Sequence, residues 1–275
     1  MNLSIRPLTT VAEFRACELL QRQVWAMPDD LDIVPLHLLV TAQRSGGVLL
    51  GAFDGDELVG FVFGFPGIAG NGVLRHCSHL LGVAPRYQSH GIGYRLKLAQ
   101  RAWVLDQGIH LVTWTYDPLE SRNAYLNIHK LGCVCGTYVR DYYGSMSDGL
   151  SAGLPSDRFQ VEWRIGSERV RQRLAGESRK RPADPIIQVN ATVHTAEGHL
   201  APGKVNLGLD ARKIQFEIPV NHQALKAVDP ALALEWRLAV RGICEAYFAS
   251  GYIVSDFHHR RAWGGGRSYY VLEAG

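Results

Sequence analysis

Apolar residues recur along this chain with one of two periods, near 3.6 where a helix would bury one face and 2 where a strand would. Leu3 to Leu8 reads as a short strand. Thr9 or Thr10 then caps a helix that carries Phe14, Cys17, Leu20 and Val24 at helical spacing. Val34 to Gln43 predicts a second helix, which Ser45-Gly46-Gly47 breaks. Val48 to Phe53 and Leu58 to Phe65 predict a hairpin around Asp54-Gly55-Asp56, followed by a loop over Pro66 to Gly72 and a long strand over Val73 to Val83.

From Gly91 to Gln107 the positions Ile92, Leu96, Ala99 and Trp103 predict a helix that Gly108 ends. Leu111 to Tyr116 is the next strand, closed by Asp117-Pro118, and Ser121 caps a helix reaching Leu131 and stopped by Gly132. Cys133 to Tyr143 and Arg158 to Ile165 read as strands, separated by a loop containing Gly144, Gly149 and Gly153. Ser167 to Asp184 is charged, ends in Arg179-Lys180-Arg181-Pro182, and reads as a linker or exposed helix. Strands near Ile186 to Val193 and Ile214 to Ile218 follow. Asp229 caps a helix over Pro230 to Ser250 with the stripe Leu232, Trp236, Val240, Ile243 and Tyr247. Tyr252 to Phe257 and Ser268 to Leu272 read as strands around Gly264-Gly265-Gly266. The pattern therefore predicts a first domain over residues 1–166, a linker over 167–184 and a smaller α/β lobe over 185–275.

With 275 residues, 47% of them hydrophobic, the chain can bury a full core. A formal net charge of +3 does not argue for nucleic acid, and no basic run is interleaved with aromatics as a single-stranded nucleic-acid groove requires. No apolar stretch has the length of a membrane span, and the start, Met1-Asn2-Leu3-Ser4-Ile5-Arg6-Pro7, lacks a basic region before an apolar one. The expectation is a cytoplasmic protein without a membrane partner. Five cysteines without framework spacing favour reduced thiols, and Cys133-Val134-Cys135 reads as two small core residues on one strand face rather than a metal site.

The candidate chemistry lies at Gln88-Ser89-His90-Gly91-Ile92-Gly93, where a strand meets a helix. A helix N-terminus offers backbone N–H groups and the positive end of its dipole, and glycine lets a bulky pyrophosphate approach. Leu96 stands where a dinucleotide fingerprint needs its third glycine, and no Gly-Lys-Ser or Gly-Lys-Thr completes a Walker loop. What remains is Gln-x-x-Gly-x-Gly before a helix whose basic face is predicted to show Arg95, Lys97 and Arg101.

That segment resembles the acyl-CoA pyrophosphate loop of the GCN5-related N-acetyltransferase (GNAT) superfamily. The order of elements from Leu3 to Ile165, Asn123 near the start of the helix after the next strand, and Lys130-Leu131-Gly132 at its end fit the same family. The string from Trp114 to Ala124, with Asp157-Arg158-Phe159 and Val161-Glu162-Trp163, is similar to one branch whose members carry an extra C-terminal lobe. The resemblance implies an α/β (α+β) fold with a mixed, mostly antiparallel sheet flanked by helices. It implies acetyl-CoA, or another acyl-CoA, as co-substrate and no metal, with direct attack by an amine in a ternary complex. By the same match Leu81 and Val83 give backbone contacts, Gln88, Ser89, His90, Gly91, Ile92, Gly93 and Tyr94 cradle the pyrophosphate, and Asn123 faces the cofactor.

Acyl transfer to an amine needs a neutral nucleophile, a stabilised oxyanion and a proton for the departing thiolate. His79 is the first choice for the base, because imidazole titrates near neutrality. Its offset from Gln88 matches one of two strand histidines in a member of the superfamily, and Cys77 stands at the other. Alternation places His79 on one strand face with Cys77 and Leu81, and His76 on the other. A tyrosine common in relatives four residues before the helix-ending glycine is Ile128 here, which leaves Tyr125, His129, Tyr138 or solvent for the acid. Asp117 is read as a turn residue and His258-His259-Arg260-Arg261 as a solvated hairpin, with Glu120 and Arg122 at the cleft end of a strand. The expected reaction is acetyl transfer to a primary amine of a small molecule. Succinyl transfer to an amino acid and a non-catalytic CoA-binding sensor or interaction module stand as alternatives, and a homodimer is left open.

Overall fold

In the computed structural model, which describes residues 3–27, 31–144, 153–176, 186–262 and 265–275, the first helix starts as its sequence demands. Thr10 accepts a hydrogen bond from the Glu13 N–H, and the Glu13 carboxylate accepts from the backbone of Thr9 and Thr10, a capping box reinforced by Arg6 at 2.7 Å. Gly149, the run from Arg179 to Pro182 and Gly264 lie outside the described residues. The described residues group into two compact units, one of 3–27, 31–114 and 164–166, the other of 115–144, 153–163, 167–176, 186–262 and 265–275.

The first unit holds β1 (Leu3–Pro7), α1 (Val11–Trp25), α2 (Leu36–Arg44), β2 (Val48–Asp54), β3 (Glu57–Ile68), β4 (Leu74–Val83), α3 (Ile92–Asp106) and β5 (Leu111–Tyr116) as far as Trp114. Its strands run in the order β1-β2-β3-β4-β5, antiparallel except for the last pair. Phe14, Cys17 and Leu20 of α1 and Leu39 of α2 pack with Leu49, Phe53, Phe61 and Phe63 on one face of the sheet. On the other face, a Cβ at Gly60 would meet Ile92 and Leu96 of α3 at 3.2 and 3.4 Å. Truncating one of these core aromatics costs about 3–5 kcal/mol.

In this unit two boundaries differ from the expected ones by more than one residue, both at proline. Helix α2 begins at Leu36 because extended Pro35 is its N-cap and disfavours helical geometry at Val34, whose main chain pairs instead with the buried Gln21 amide. Strand β3 continues through Pro66 to Ile68, where the loop was expected. Its pairing with β2 ends at Val48–Gly64, so the proline occupies an edge segment.

The second unit holds α4 (Ser121–Ala124), a π-helical turn (Tyr125–Lys130), β6 (Val134–Val139), β7 (Arg158–Arg164) as far as Trp163, and α5 (Glu168–Ala175). It continues with β8 (Ile187–Gln188), β9 (Asn190–His194), β10 (Leu200–Val205), β11 (Lys213–Ile218), α6 (His222–Val228), α7 (Pro230–Ala249), β12 (Tyr252–Ala262) and β13 (Gly265–Ala274). The order β7-β6-β12-β13-β11-β8 is antiparallel except at β11–β8, and β9 and β10 form a separate hairpin. Asp229 caps α7 and all five predicted stripe residues are buried. Rings of Phe159, Phe216 and Phe257 pack 4.8–5.4 Å from Tyr270, whose hydroxyl donates to the Pro118 carbonyl. The architecture is mixed α/β, with largely antiparallel strands flanked by helices. Among the described residues no helix is long and apolar enough to cross a membrane.

Candidate functional site

Strand β4 is irregular where the expected base sits. Phe63 pairs with Leu80 but Phe65 pairs with Cys77, so Gly64 faces both Ser78 and His79 across a β-bulge. Glycine is required there, since a Cβ at position 64 would run into the His76 ring and the Cys77 carbonyl. The bulge corrects the alternation expected for this strand. His79 stays on the face of Cys77, between Phe63 and Phe65 at ring distances of 6.0 Å, whereas Leu81 pairs with Val62 on the opposite face. His79 is open to solvent on one side, yet desolvation by these neighbours lowers its pKa below the usual histidine value. Its imidazole makes no hydrogen bond among the described residues and is free to take a proton.

The bulge coincides with the end of a ladder. β5 pairs with β4 only at His76–Val112 and Cys77–Thr113, so from Ser78 to Val83 that edge of β4 has no strand partner among the described residues of the unit. Leu81 and Val83 lie on this open stretch, and the Gln88 amide donates to the Val83 carbonyl at 3.3 Å.

The chain then turns through Pro85–Tyr87 into the glycine loop. Ser89 and Gly91 both adopt left-handed backbone, at φ 68° and 77°, and Gly91 is the N-cap of the 15-residue α3. The first N–H groups of a helix lack intrahelical partners, and Gly91 has no side chain with which to cap them. Ser89, His90 and Gly91 are exposed, Gln88, Gly93 and Tyr94 partly so, and Ile92 is buried beneath them as an anchor. His90 Nδ1 lies 2.9 Å from the Gln88 carbonyl, which makes it a donor that braces the loop.

The helix behind the loop does not show the basic face its sequence suggests. Arg95 binds the Leu3 carbonyl and Arg101 the Ile165 carbonyl, while Lys97 is only 1% exposed. Its ammonium contacts Ser78 Oγ at 2.8 Å and Gln100 Oε1 at 3.1 Å and lies 3.5 Å from the centre of the Trp114 ring. Gln100 in turn meets the ring of fully buried His76 at 3.1 Å. Burial, then the Lys97 charge, pushes the His76 pKa down to about 4. α3 thus buries Lys97 and Gln100 in a polar network on β4, and the expected core residue Trp103 is exposed.

The remaining expected residues belong to the second unit. Asn123 and Arg122 on α4 are exposed. Tyr125 is exposed at the start of the π-turn and stacks on His129 at 4.8 Å, whereas Ile128 is fully buried. The Tyr138 hydroxyl donates to Asp157 Oδ2 at 2.6 Å, and burial and that carboxylate raise its pKa, which commits its proton to Asp157. Asp157 is held by a bidentate pair with Arg241 that gave no local sequence signal. Asp117 does form the expected turn, accepting from the Leu119 N–H, but it also forms a two-point ion pair with buried Arg237. Burial raises the pKa of Glu120, which accepts from Gln223. Of the expected solvated run, His258 and Arg260 are partly buried on β12. All five cysteines are free thiols, Cys133 and Cys135 fully in the core.

Residues 13–132 match the family described as Acetyltransferase (GNAT) family. No curated protein matches the chain. Among solved structures, the ribosomal-protein-S18-alanine N-acetyltransferase of Escherichia coli is 14% identical, with 60% of this chain and 95% of that one covered and a TM-score of 0.46. A GNAT family acetyltransferase of Streptococcus pneumoniae is 16% identical over 58% and 98% of the two chains, with a TM-score of 0.47. A GNAT family acetyltransferase of Elizabethkingia anophelis with acetyl-CoA bound is 15% identical over 59% and 98%, with a TM-score of 0.42.

Proposed function

Because residues 13–132 belong to the acetyltransferase (GNAT) family, an acyl-CoA-dependent group of enzymes, we propose that this chain moves acetyl from acetyl-CoA to a primary amine of a small molecule. The observation that carries this reading is the coincidence, within one unit, of the open edge of β4 with the left-handed glycine loop at the start of α3. An unpaired strand edge suits an extended pantetheine arm, which needs main-chain donors and acceptors, and the loop beyond it suits a pyrophosphate. Leu81 and Val83 would supply the former contacts, and Gln88 to Tyr94 the latter.

His79 is the proposed base. Desolvation keeps its imidazole neutral at physiological pH, the form that accepts a proton from the incoming ammonium or from a bridging water. The amine nitrogen then attacks the thioester carbonyl directly, and the thiolate leaves.

Acetyl-CoA at a hundred times its dissociation constant is expected to stabilise the protein by about 2.7 kcal/mol, read as a rise in melting temperature. Thiol release with a panel of small amines, amino acids and short peptides then tests turnover and acceptor class. Loss of any CoA-dependent shift would remove the cofactor, and a shift without turnover would favour a sensor. Faster turnover with succinyl-CoA than with acetyl-CoA would reassign the acyl group.

A further inference from the structure

Buried cations in this chain are held in different ways. Arg173 of α5, only 6% exposed, forms an ion pair with Asp256 Oδ2 at 2.8 Å, and the other carboxylate oxygen meets His129 Nδ1 at 3.1 Å. Charge pairing accounts for that cation. Lys97 of the first unit, 1% exposed, donates to neutral groups, Ser78 Oγ at 2.8 Å and Gln100 Oε1 at 3.1 Å, against the face of the Trp114 ring. A buried charge carries a desolvation penalty, so stability alone gives no reason for a lysine here.

Its two acceptors lead to the bulge of β4. Ser78 and His79 stand together opposite Gly64, with Ser78 turned toward α3 and the neighbouring His79 ring between Phe63 and Phe65 on the other face. Gln100 reaches the other flank of the same irregularity. Its Oε1 is engaged by Lys97 and by the Ser78 hydroxyl at 3.1 Å, which leaves its amide nitrogen to face His76 Nε2, also at 3.1 Å. The His76 ring fills the space beside Gly64 that a Cβ would need.

Burial and then the Lys97 charge keep that ring neutral, and an amide nitrogen only donates, so His76 Nε2 accepts and the ring proton sits on Nδ1. Nδ1 has no hydrogen-bond partner among the described residues. A buried donor left unpaired costs about 1–3 kcal/mol. Turning the Gln100 amide over would remove that cost, since Oε1 would then accept from His76 Nε2–H and the amide nitrogen donate to Ser78 Oγ. Lys97 opposes the turn, because its ammonium offers only donors and holds Oε1 where it is.

We infer that Lys97 is a positioning residue for the acyl transfer: it sets the Gln100 amide and the Ser78 hydroxyl, and through them the β-bulge that aims the His79 imidazole. This rests on the reading of His79 as the base. Lys97 lies behind the strand and acts only through it, and misplacing a reacting group by about 1 Å is enough to lower a rate by about a hundredfold.

The test uses the full chain. Nitrogen-15 NMR of the imidazoles is expected to show neutral His76 as the Nδ1–H tautomer in the wild type and as the Nε2–H tautomer in Lys97→Met, which keeps the length of the side chain without its charge. With an amine that the wild type acetylates, Lys97→Met is expected to lower kcat about tenfold and leave KM for acetyl-CoA within about twofold. In a His79→Ala background the same substitution is expected to have no further effect on kcat, because the group it positions is gone. Ser78→Ala removes the hydroxyl that Lys97 holds. It is expected to lower kcat by a smaller factor, again only while His79 is present, and decides the case should Lys97→Met fail to fold. A loss that persists undiminished in the His79→Ala background would overturn the inference alone, as would an unchanged kcat or an unchanged His76 tautomer in folded Lys97→Met. A His79→Ala variant as fast as the wild type would overturn the base and the inference with it. A wild type that releases no CoA with any amine would overturn both together with the acetyltransferase reading.

Discussion

The glycine loop of the first unit and the Asp256 cluster of the second are both built to hold charge, but from different material. The loop uses main chain: left-handed Ser89 and Gly91, an uncapped helix start and an open strand edge. The cluster relies mainly on side chains, a carboxylate clamped between an imidazole and a guanidinium, with one main-chain N–H from Phe257. A main-chain site tolerates side-chain replacement wherever φ is preserved, whereas a side-chain site is lost with one functional group. The two regions should therefore respond to mutation in opposite ways.

The largest effect tests a side chain beside the main-chain site. His79→Ala is expected to lower kcat about a hundredfold with little change in acetyl-CoA affinity, because the pantetheine contacts proposed above are made by backbone. Activity through a neutral base rises as pH passes its pKa, and desolvation places that pKa below the ordinary histidine value, so the acid limb of the wild-type profile should lie below pH 6.5. A parallel loss of CoA affinity in His79→Ala would break the distinction drawn here.

Next in size is the loop itself. Nothing lies within 4 Å of a Cβ built on Gly91, so Gly91→Val tests backbone conformation rather than crowding. A β-branched residue at φ 77° costs about 1–3 kcal/mol, which corresponds to a loss of about fivefold or more in acetyl-CoA affinity. Ser89→Gly, by contrast, should bind as well as the wild type in thermal-shift titration, since it keeps the left-handed geometry without a strained Cβ. Equal affinity in Gly91→Val and the wild type would remove the main-chain account.

These two regions also differ in how far they could be read from the sequence. The loop is local: glycine spacing, the preceding apolar run and helical periodicity all fall within about twenty residues, so the strand–loop–helix junction and the family likeness were legible together. The His79 bulge was not, because it arises from register with β3 and from the close approach that Gly64 permits. Lys97 misled for a related reason. A lysine in a helix reads as solvent-facing, but Ser78, Gln100 and Trp114 from three separate elements satisfy it in the interior. The partnership of His129 with Asp256 required a π-turn where the spacing predicted a plain helix, and a bulge in a strand 127 residues away. Strand β10 and helix α6 were missed because Pro202-Gly203 imitates a turn and seven residues are too few to show a period.

A smaller effect separates the polar network under β4 from the site it supports. The folded His76 pKa of about 4 lies below the unfolded value near 6.5, so the unfolded chain binds the proton first. The stability contributed by neutral His76 is complete above about pH 6.5 and is lost as pH falls toward 4. His76→Gln should flatten the fall of melting temperature across that window, and an unflattened curve would mean that His76 is not the group titrating there.

The smallest effect lies far from both charge-holding regions and calibrates them. Thr10→Ala removes the side-chain acceptor from the α1 capping box and is expected to cost about 1 kcal/mol, with no change in acetyl-CoA affinity. Glu13→Gln probes the same box through its charge. The Arg6 hydrogen bond, opposed by partial burial and aided by the Thr9 and Thr10 N–H groups, lowers the Glu13 pKa from 4.5 to about 2. Its folded pKa is depressed, so its contribution is present above about pH 4.5 and is lost as pH falls through about 2. The gap in melting temperature between wild type and Glu13→Gln should close over that range in acid titrations. It should stay constant across the window where His76 titrates, so a gap that closed near pH 6 would mean that the first helix and the β4 network are coupled.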